Sequence, residues 1–126
     1  MPRRPTQWLY HIATVPDWDQ AQRDGEYRTS TRGRTLSQEG FIHASTADQV
    51  LPVAAMVYLD EPEDLVLLML DPGRIGAELR YEPVPGWEDP FPHIYGPLEV
   101  TAVARAVPLE RDATGSFRWP AGLDRP

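Results

Sequence analysis

The order of apolar and polar residues divides the chain into short segments whose spacing predicts strands and helices. The stretch 64–71 is a continuous apolar run between two acidic residues, which is typical of a strand buried on both faces. Alternating apolar and polar positions predict further strands, and apolar positions three or four apart behind a capping threonine or serine predict helices. Strands are predicted at 8–14, 41–44, 64–71, 78–84, 93–95 and 100–110, with a hairpin arm at 115–119, and helices at 15–24 and 46–59.

Three features interrupt this pattern. Residues 25–39 are rich in Ser, Thr, Arg and Gly and show no period, which predicts an ordered or half-ordered surface loop. Residues 85–92 are dense in proline and acidic residues and predict a second loop. Pro52 falls inside the second helical pattern and should kink or split that helix, because proline lacks the backbone N–H and clashes with the preceding turn.

The balance of elements predicts the fold class. Five to seven short strands with two helices, both early in the chain, indicate an α+β arrangement in which helices pack on a mainly antiparallel sheet. A length of 126 residues suits one domain, which we place at 8–119 between a flexible N-terminus at 1–7 and a flexible tail at 120–126. No apolar run approaches the ~20 residues that cross a bilayer, so we expect a cytoplasmic protein without membrane contact.

Composition removes several kinds of chemistry. The chain has no cysteine, and all twelve of its basic residues are arginine, so thiolate and Schiff-base mechanisms are excluded. A net charge of −7 argues against general nucleic-acid binding, which needs a basic face. A local basic island consists of Arg28, Arg32 and Arg34, whose planar guanidinium groups suit a phosphate or carboxylate.

The three histidines share one setting. His11, His43 and His93 each lie in a short apolar stretch near Gly, Pro or Tyr, and none lies on a polar helix surface. A lone strand histidine usually packs with one ring nitrogen on a backbone carbonyl. Because side chains alternate along a strand, however, each imidazole should face away from its most apolar neighbours. Together they favour one shared cleft, with Tyr95 beside His93 and with Ser45 starting a helix whose backbone donors suit an anion.

Two other constellations fit the same residues less well. A three-histidine metal centre would have ligands 32 and then 50 residues apart, whereas metal ligands usually come closer in sequence and with supporting carboxylates. A hydrolase pair of Ser45 and His43 lacks a nucleophile elbow and an oxyanion loop. We therefore expect no metal and favour a small-molecule site of nucleotide type.

Three blocks carry a resemblance to a known family. YHIAT, EGFIHASTADQV and FPHIYGPLEV are similar to the signature blocks of a small bacterial family, domain-of-unknown-function family 952, between Trp8 and Arg118. That family remotely resembles the ADP-ribosyltransferase fold. The resemblance implies that His11, assisted by Thr14, holds the ribose and amide of NAD, and that Ser45 occupies the serine position of the second motif. His43 or Phe41 would stack on the nicotinamide ring.

The chain departs from this resemblance at the third motif. A glutamate is expected there, but FPHIYGP presents Phe91 or His93, so this block lacks the carboxylate that stabilises the transition state of the transferases. The expected protein is an ADP-ribosyltransferase-like α+β domain with a split, mainly antiparallel sheet, a monomer or weak homodimer, that binds NAD or a related phosphorylated small molecule. His43 and His93 are the candidate acid–base groups for ADP-ribosyl transfer or NAD-glycosidic cleavage. The alternatives are a non-catalytic binding module and a small-molecule biosynthetic enzyme that reuses the cleft. The expected ligand-binding residues are His11, Thr14, Ser45, Tyr95, Arg28, Arg32 and Arg34.

Overall fold

A computed structural model describes residues 7–123 of the chain. Within these residues every strand pairing is antiparallel, which confirms the predicted α+β class with mainly antiparallel sheets. The elements are β1 (Leu9–Thr14), α1 (Val15–Asp24), β2 (Glu26–Tyr27), β3 (Thr29–Thr31), β4 (Arg34–Thr35), α2 (Leu36–Glu39), β5 (Ile42–His43), α3 (Ala47–Val57), β6 (Leu65–Leu70), β7 (Glu78–Glu82), β8 (Phe91–Tyr95), β9 (Leu98–Glu99) and β10 (Val103–Leu109), with 3-10 turns at Pro72–Arg74 and Val100–Ala102.

The first large sheet is built around the continuous apolar strand. β6 lies in the centre, between β1 and β10. One face of this sheet packs on α1 through Ala21, and the other packs on α3 through Val50 and Ala54. Since β6 is covered on both sides, nearly every one of its positions has to be apolar, and Leu67 and Leu68 are fully buried on opposite faces.

The second large sheet, β5–β8–β7, continues from the edge of the first. The backbone groups of Tyr10 in β1 and Ser45 after β5 exchange two hydrogen bonds of 2.8 Å, which join the two sheets. Ile42 and Ile94 point from the second sheet into the same core cluster as Ala21. Residues that alternate with them therefore lie on the opposite face.

The segment 25–39 carries more regular structure than the predicted loop. It contains β2, a β3–β4 hairpin and the single-turn helix α2, so residues 7–123 contain three α-helices rather than the predicted two. Thr35 and Gln38 form a reciprocal capping box that starts α2, and Gly40 ends it in the left-handed region at φ 88°. Strands of two or three residues are too short to show a period, which is why the pattern missed them.

Other boundaries also differ from the sequence prediction. α3 is one continuous helix across Pro52, whose side chain is exposed, because the packing of Val50 and Ala54 compensates for one missing backbone donor. β10 begins at Val103, since the three residues before it form a 3-10 turn. Between residues 7 and 123 no helix combines the length and the apolar character needed to cross a membrane.

The C-terminal segment packs on the face of the first sheet that α3 covers. Leu123 is buried there, and the indole Nε1 of Trp119 donates to its carbonyl at 2.7 Å. The Trp119 ring meets Tyr10 edge-on at 5.3 Å. Within the segment predicted as a flexible tail, Pro120 and Leu123 are buried, whereas Ala121 and Gly122 are exposed. Residues 124–126 and, apart from Gln7, the predicted flexible N-terminus lie outside the described residues.

Candidate functional site

The face of the second sheet that points away from the core carries a row of chemically active side chains. His43 and His93 are direct cross-strand partners, and Arg80 lies opposite His93 on its other side. Direct partners in an antiparallel pair share a face, so these three side chains stand in one line. The name polar face is used for this row and its neighbours, Phe41, Glu78, Glu82, Phe91 and Tyr95.

His93 is the most enclosed member of the polar face. Its side chain is only 5% exposed, and its ring stacks on Phe41 at 4.1 Å with 23° between the planes. Nδ1 lies 2.8 Å from Oε1 of Glu82, and since a carboxylate only accepts, Nδ1 must carry the proton. Nε2, the other ring nitrogen, is buried without a hydrogen-bond partner.

Glu82 connects His93 to Tyr95. The phenol of Tyr95 donates to the same carboxylate oxygen that accepts from His93. These two hydrogen bonds lower the pKa of Glu82, with Tyr95 as the larger cause, and the bond to Glu82 raises the pKa of Tyr95. At neutral pH the carboxylate is thus charged and the phenol is protonated. Arg80 covers the Tyr95 ring at 4.5 Å and forms two hydrogen bonds to Glu78.

His43 stands edge-on to His93, with the ring centres 5.2 Å apart. Its Nε2 lies 3.6 Å from a carboxylate oxygen of Glu39 in α2, and Glu39 also pairs with Arg34 at 2.7 Å. Burial, and then the neighbouring His93, lower the pKa of His43, which keeps its ring neutral at pH 7. The polar face therefore holds two imidazoles in contact, each with a carboxylate partner.

His11 lies apart from the polar face, in the interior. Its Nδ1 contacts the backbone oxygen of His43 at 2.5 Å, and its Nε2 contacts the phenol of Tyr27 at 2.9 Å. Because a carbonyl only accepts, Nδ1 carries the proton and Nε2 accepts from Tyr27. Burial lowers the pKa of His11 to about 4, so the ring is neutral. Both nitrogens are occupied, and the residue supports the backbone beneath His43.

Thr14 and Ser45 also occupy structural positions. Oγ1 of Thr14 accepts from the backbone N–H of Asp17 at 3.3 Å and caps α1. Ser45 is buried and pairs through its backbone with Tyr10. The sequence predicted Ser45 or Thr46 as the cap of α3, and the structure places the cap at Thr46.

The three arginines do not converge on one point. Arg32 pairs with Asp60 and Glu61 at 2.6 and 3.1 Å and donates to the end of α3. Arg34 pairs with Glu39, and Arg28 pairs with Glu26 at 3.1 Å. Of the catalytic and ligand-binding residues expected from sequence, the polar face thus unites His43, His93 and Tyr95, together with Phe41, the alternative stacking residue.

Sequence reasoning missed Glu82, which contacts two of those three residues. The alternation of ELRYE places Glu78, Arg80 and Glu82 on one face of a strand, and that signal was available. Which strand pairs with β7 is a long-range choice that alternation does not reveal. Among the described residues, no three histidine and acidic side chains are grouped so that they could hold a metal ion.

The fold and the site place this protein in a class: it is an α+β domain with a histidine–glutamate–tyrosine face. Comparison with known proteins supplies its family. The chain matches the family described as protein of unknown function (DUF952) over residues 12–106, and it belongs to that family. No curated protein matches it.

Solved structures of one relative share the fold. The crystal structure of protein CC0527 from Caulobacter crescentus is 32% identical, with a TM-score of 0.76, and the match covers 88% of this chain and 93% of that one. The solution structure of CC0527 is 33% identical, with a TM-score of 0.70 over 86% and 90% of the two chains. A double mutant of the same protein gives a TM-score of 0.75 at 32% identity, again over 88% and 93%.

Proposed function

We propose that the polar face binds a small molecule and that His93 acts there as a general base. The observation that carries this proposal is Nε2 of His93, which is buried without a hydrogen-bond partner while Nδ1 of the same ring donates to Glu82. A buried acceptor without a partner costs about 1–3 kcal/mol, and such a cost is typical of a group kept for chemistry. A water molecule or ligand that donates to Nε2 would remove this cost.

The substrate we propose is NAD or a related phosphorylated small molecule, in keeping with the resemblance to the ADP-ribosyltransferase fold. In glycosidic cleavage the bond between ribose C1′ and the nicotinamide nitrogen breaks, and its electron pair neutralises the pyridinium ring. Water adds to C1′ and gives its proton to Nε2 of His93. The products are nicotinamide and ADP-ribose, so the leaving group needs no acid catalyst.

Glu82 takes the role of the glutamate that is missing from the third block. It comes from β7, the neighbour of the strand that carries FPHIYGP, and it remains ionised because Tyr95 and His93 donate to it. A fixed carboxylate beside the reacting carbon stabilises the positive charge that develops on a ribosyl transition state. Glu82 therefore has two roles, the orientation of His93 and charge stabilisation.

The first test is binding and turnover with NAD. Titration calorimetry with NAD and ADP-ribose measures binding, and chromatography of released nicotinamide measures turnover. We expect His93→Gln and Glu82→Gln to lower kcat by about 100-fold or more, since general base catalysis contributes roughly that factor. Tyr81→Phe, on the opposite face of β7, is the matched control and should leave kcat unchanged. Unchanged turnover in His93→Gln would refute the role of His93.

A second candidate function is acid–base catalysis on a small molecule other than NAD. The ion pairing of Arg32 and Arg34 favours it, because both guanidinium groups already hold carboxylate partners at 2.6–2.7 Å and are not free to clamp a phosphate. A non-catalytic binding module, in contrast, predicts binding of NAD or ADP-ribose without any release of nicotinamide. The calorimetric and turnover measurements together separate these functions from the first proposal.

A further inference from the structure

A cavity of about 450 Å³ opens between α2 and the turn that follows β8. It is lined by Arg28, Thr35, Leu36, Ser37 and Pro97. Glu39, at the end of the same helix, contacts His43, and Tyr95, two residues before Pro97, belongs to the polar face. Both walls of the cavity are thus continuous with elements that carry the proposed site.

Backbone hydrogen bonds hold the walls of the cavity in place. The backbone N–H of Leu36 donates to the carbonyl of Arg28 at 2.9 Å, which ties α2 to the strand residues before it. β2 pairs with β9 through Tyr27 and Leu98, so Arg28 and Pro97 follow and precede a paired position. The cavity is therefore built by secondary structure rather than by a loose loop.

Arg28 is the arginine of the 28–34 island that lines this cavity. Its side chain is 68% exposed, and its ion pair with Glu26, itself 40% exposed, is of the surface type that contributes little free energy. A guanidinium group in such a pair can turn to an incoming anion at small cost. Arg32 and Arg34, by contrast, are held by partners at 2.6–2.7 Å.

We infer that the cavity binds a phosphate group of the small molecule whose reacting bond lies at the polar face. Arg28 supplies the charge and a planar pair of N–H donors, and the hydroxyl groups of Thr35 and Ser37 supply further donors. Leu36 and Pro97 give apolar contact for the part of the ligand next to the phosphate. This inference rests on the proposed function, because it assigns the anionic end of the same ligand.

The test compares phosphorylated and unphosphorylated probes. Calorimetry with ADP, ribose 5-phosphate, orthophosphate and adenosine is carried out on the wild type, Arg28→Leu and Arg28→Lys. Arg74→Leu is the matched control, since Arg74 is 69% exposed, is also paired with a carboxylate, that of Asp71, and does not line the cavity. We expect Arg28→Leu to weaken ADP binding about tenfold or more, a loss of ~1.4 kcal/mol, and Arg28→Lys to weaken it less. Adenosine binding should not change.

Three results would overturn the inference: no ADP binding by the wild type, equal ADP affinity in Arg28→Leu, or orthophosphate binding as tight as ADP. The last result would show an adventitious anion site. Failure here differs from failure of the proposed function. Cleavage of nicotinamide riboside, which has no phosphate, should require His93 but not Arg28, whereas ADP binding should require Arg28 and survive in His93→Gln.

Discussion

Replacement of His11 by asparagine should reduce the stability of the protein at neutral pH and also reduce its sensitivity to acid. An asparagine amide can take the place of the ring Nδ1 and donate to the carbonyl of His43. It leaves the phenol of Tyr27, which is 1% exposed, without its acceptor. A buried donor left unpaired costs about 1–3 kcal/mol, so we expect a loss of that size at pH 7.5.

The acid sensitivity follows from the pKa of His11. Burial lowers this pKa from 6.5 to about 4 in the folded protein. Below pH 6.5 the unfolded chain therefore binds a proton that the folded protein excludes, and stability falls as the pH drops from about 6.5 to about 4. The loss is about 2 kcal/mol at pH 5 and reaches ~3 kcal/mol below pH 4, from 1.36 kcal/mol per pKa unit. His11→Asn lacks this contribution.

The measurement is urea unfolding followed by tryptophan fluorescence at several pH values between 7.5 and 5.0, at constant ionic strength. The advantage of the wild type over His11→Asn should shrink by about 2 kcal/mol across this range. Other groups titrate equally in both proteins and cancel in the difference. The control is His43→Asn, because the His43 side chain is 37% exposed. It should change the pH dependence of the free energy of unfolding much less than His11→Asn does. A wild-type advantage that is the same at pH 7.5 and 5.0 would refute the reasoning.

Three further predictions concern stability and use the same unfolding assay. Leu68→Ala, at a fully buried position of the central strand, should cost about 2–5 kcal/mol, whereas Leu59→Ala, at a site 55% exposed, should cost less than ~0.5 kcal/mol; similar costs would contradict the packing described. Pro52→Ala should stabilise α3 by about 1 kcal/mol or more because it restores a backbone donor in the helix interior, and a loss of stability would oppose this. Arg111→Leu should cost about 1–2 kcal/mol, since its guanidinium donates to three carbonyls after α3; an unchanged unfolding midpoint would contradict that role.

The three histidines show how similar sequence settings can give different roles. Each was predicted on a strand inside a short apolar stretch, and β1, β5 and β8 confirm the strands. His11 faces the interior and has both nitrogens occupied, while His93 shares a face with His43 and keeps one nitrogen without a partner. The difference depends on which strands lie beside each one, and those neighbours are distant in sequence.

Local pattern by itself determined the α+β class, the central strand β6, the first and third helices and the family resemblance. These features depend on the period of apolar residues and on caps within a few positions, which a short stretch of chain contains in full. Only the tertiary structure decided the pairing of β7 with β8, which carries Glu82 to His93, and the separation of the three arginines. Alternation assigns each side chain to one of two faces, but the partner of that face is set by long-range packing, and so the composition of the candidate site was decided by the fold.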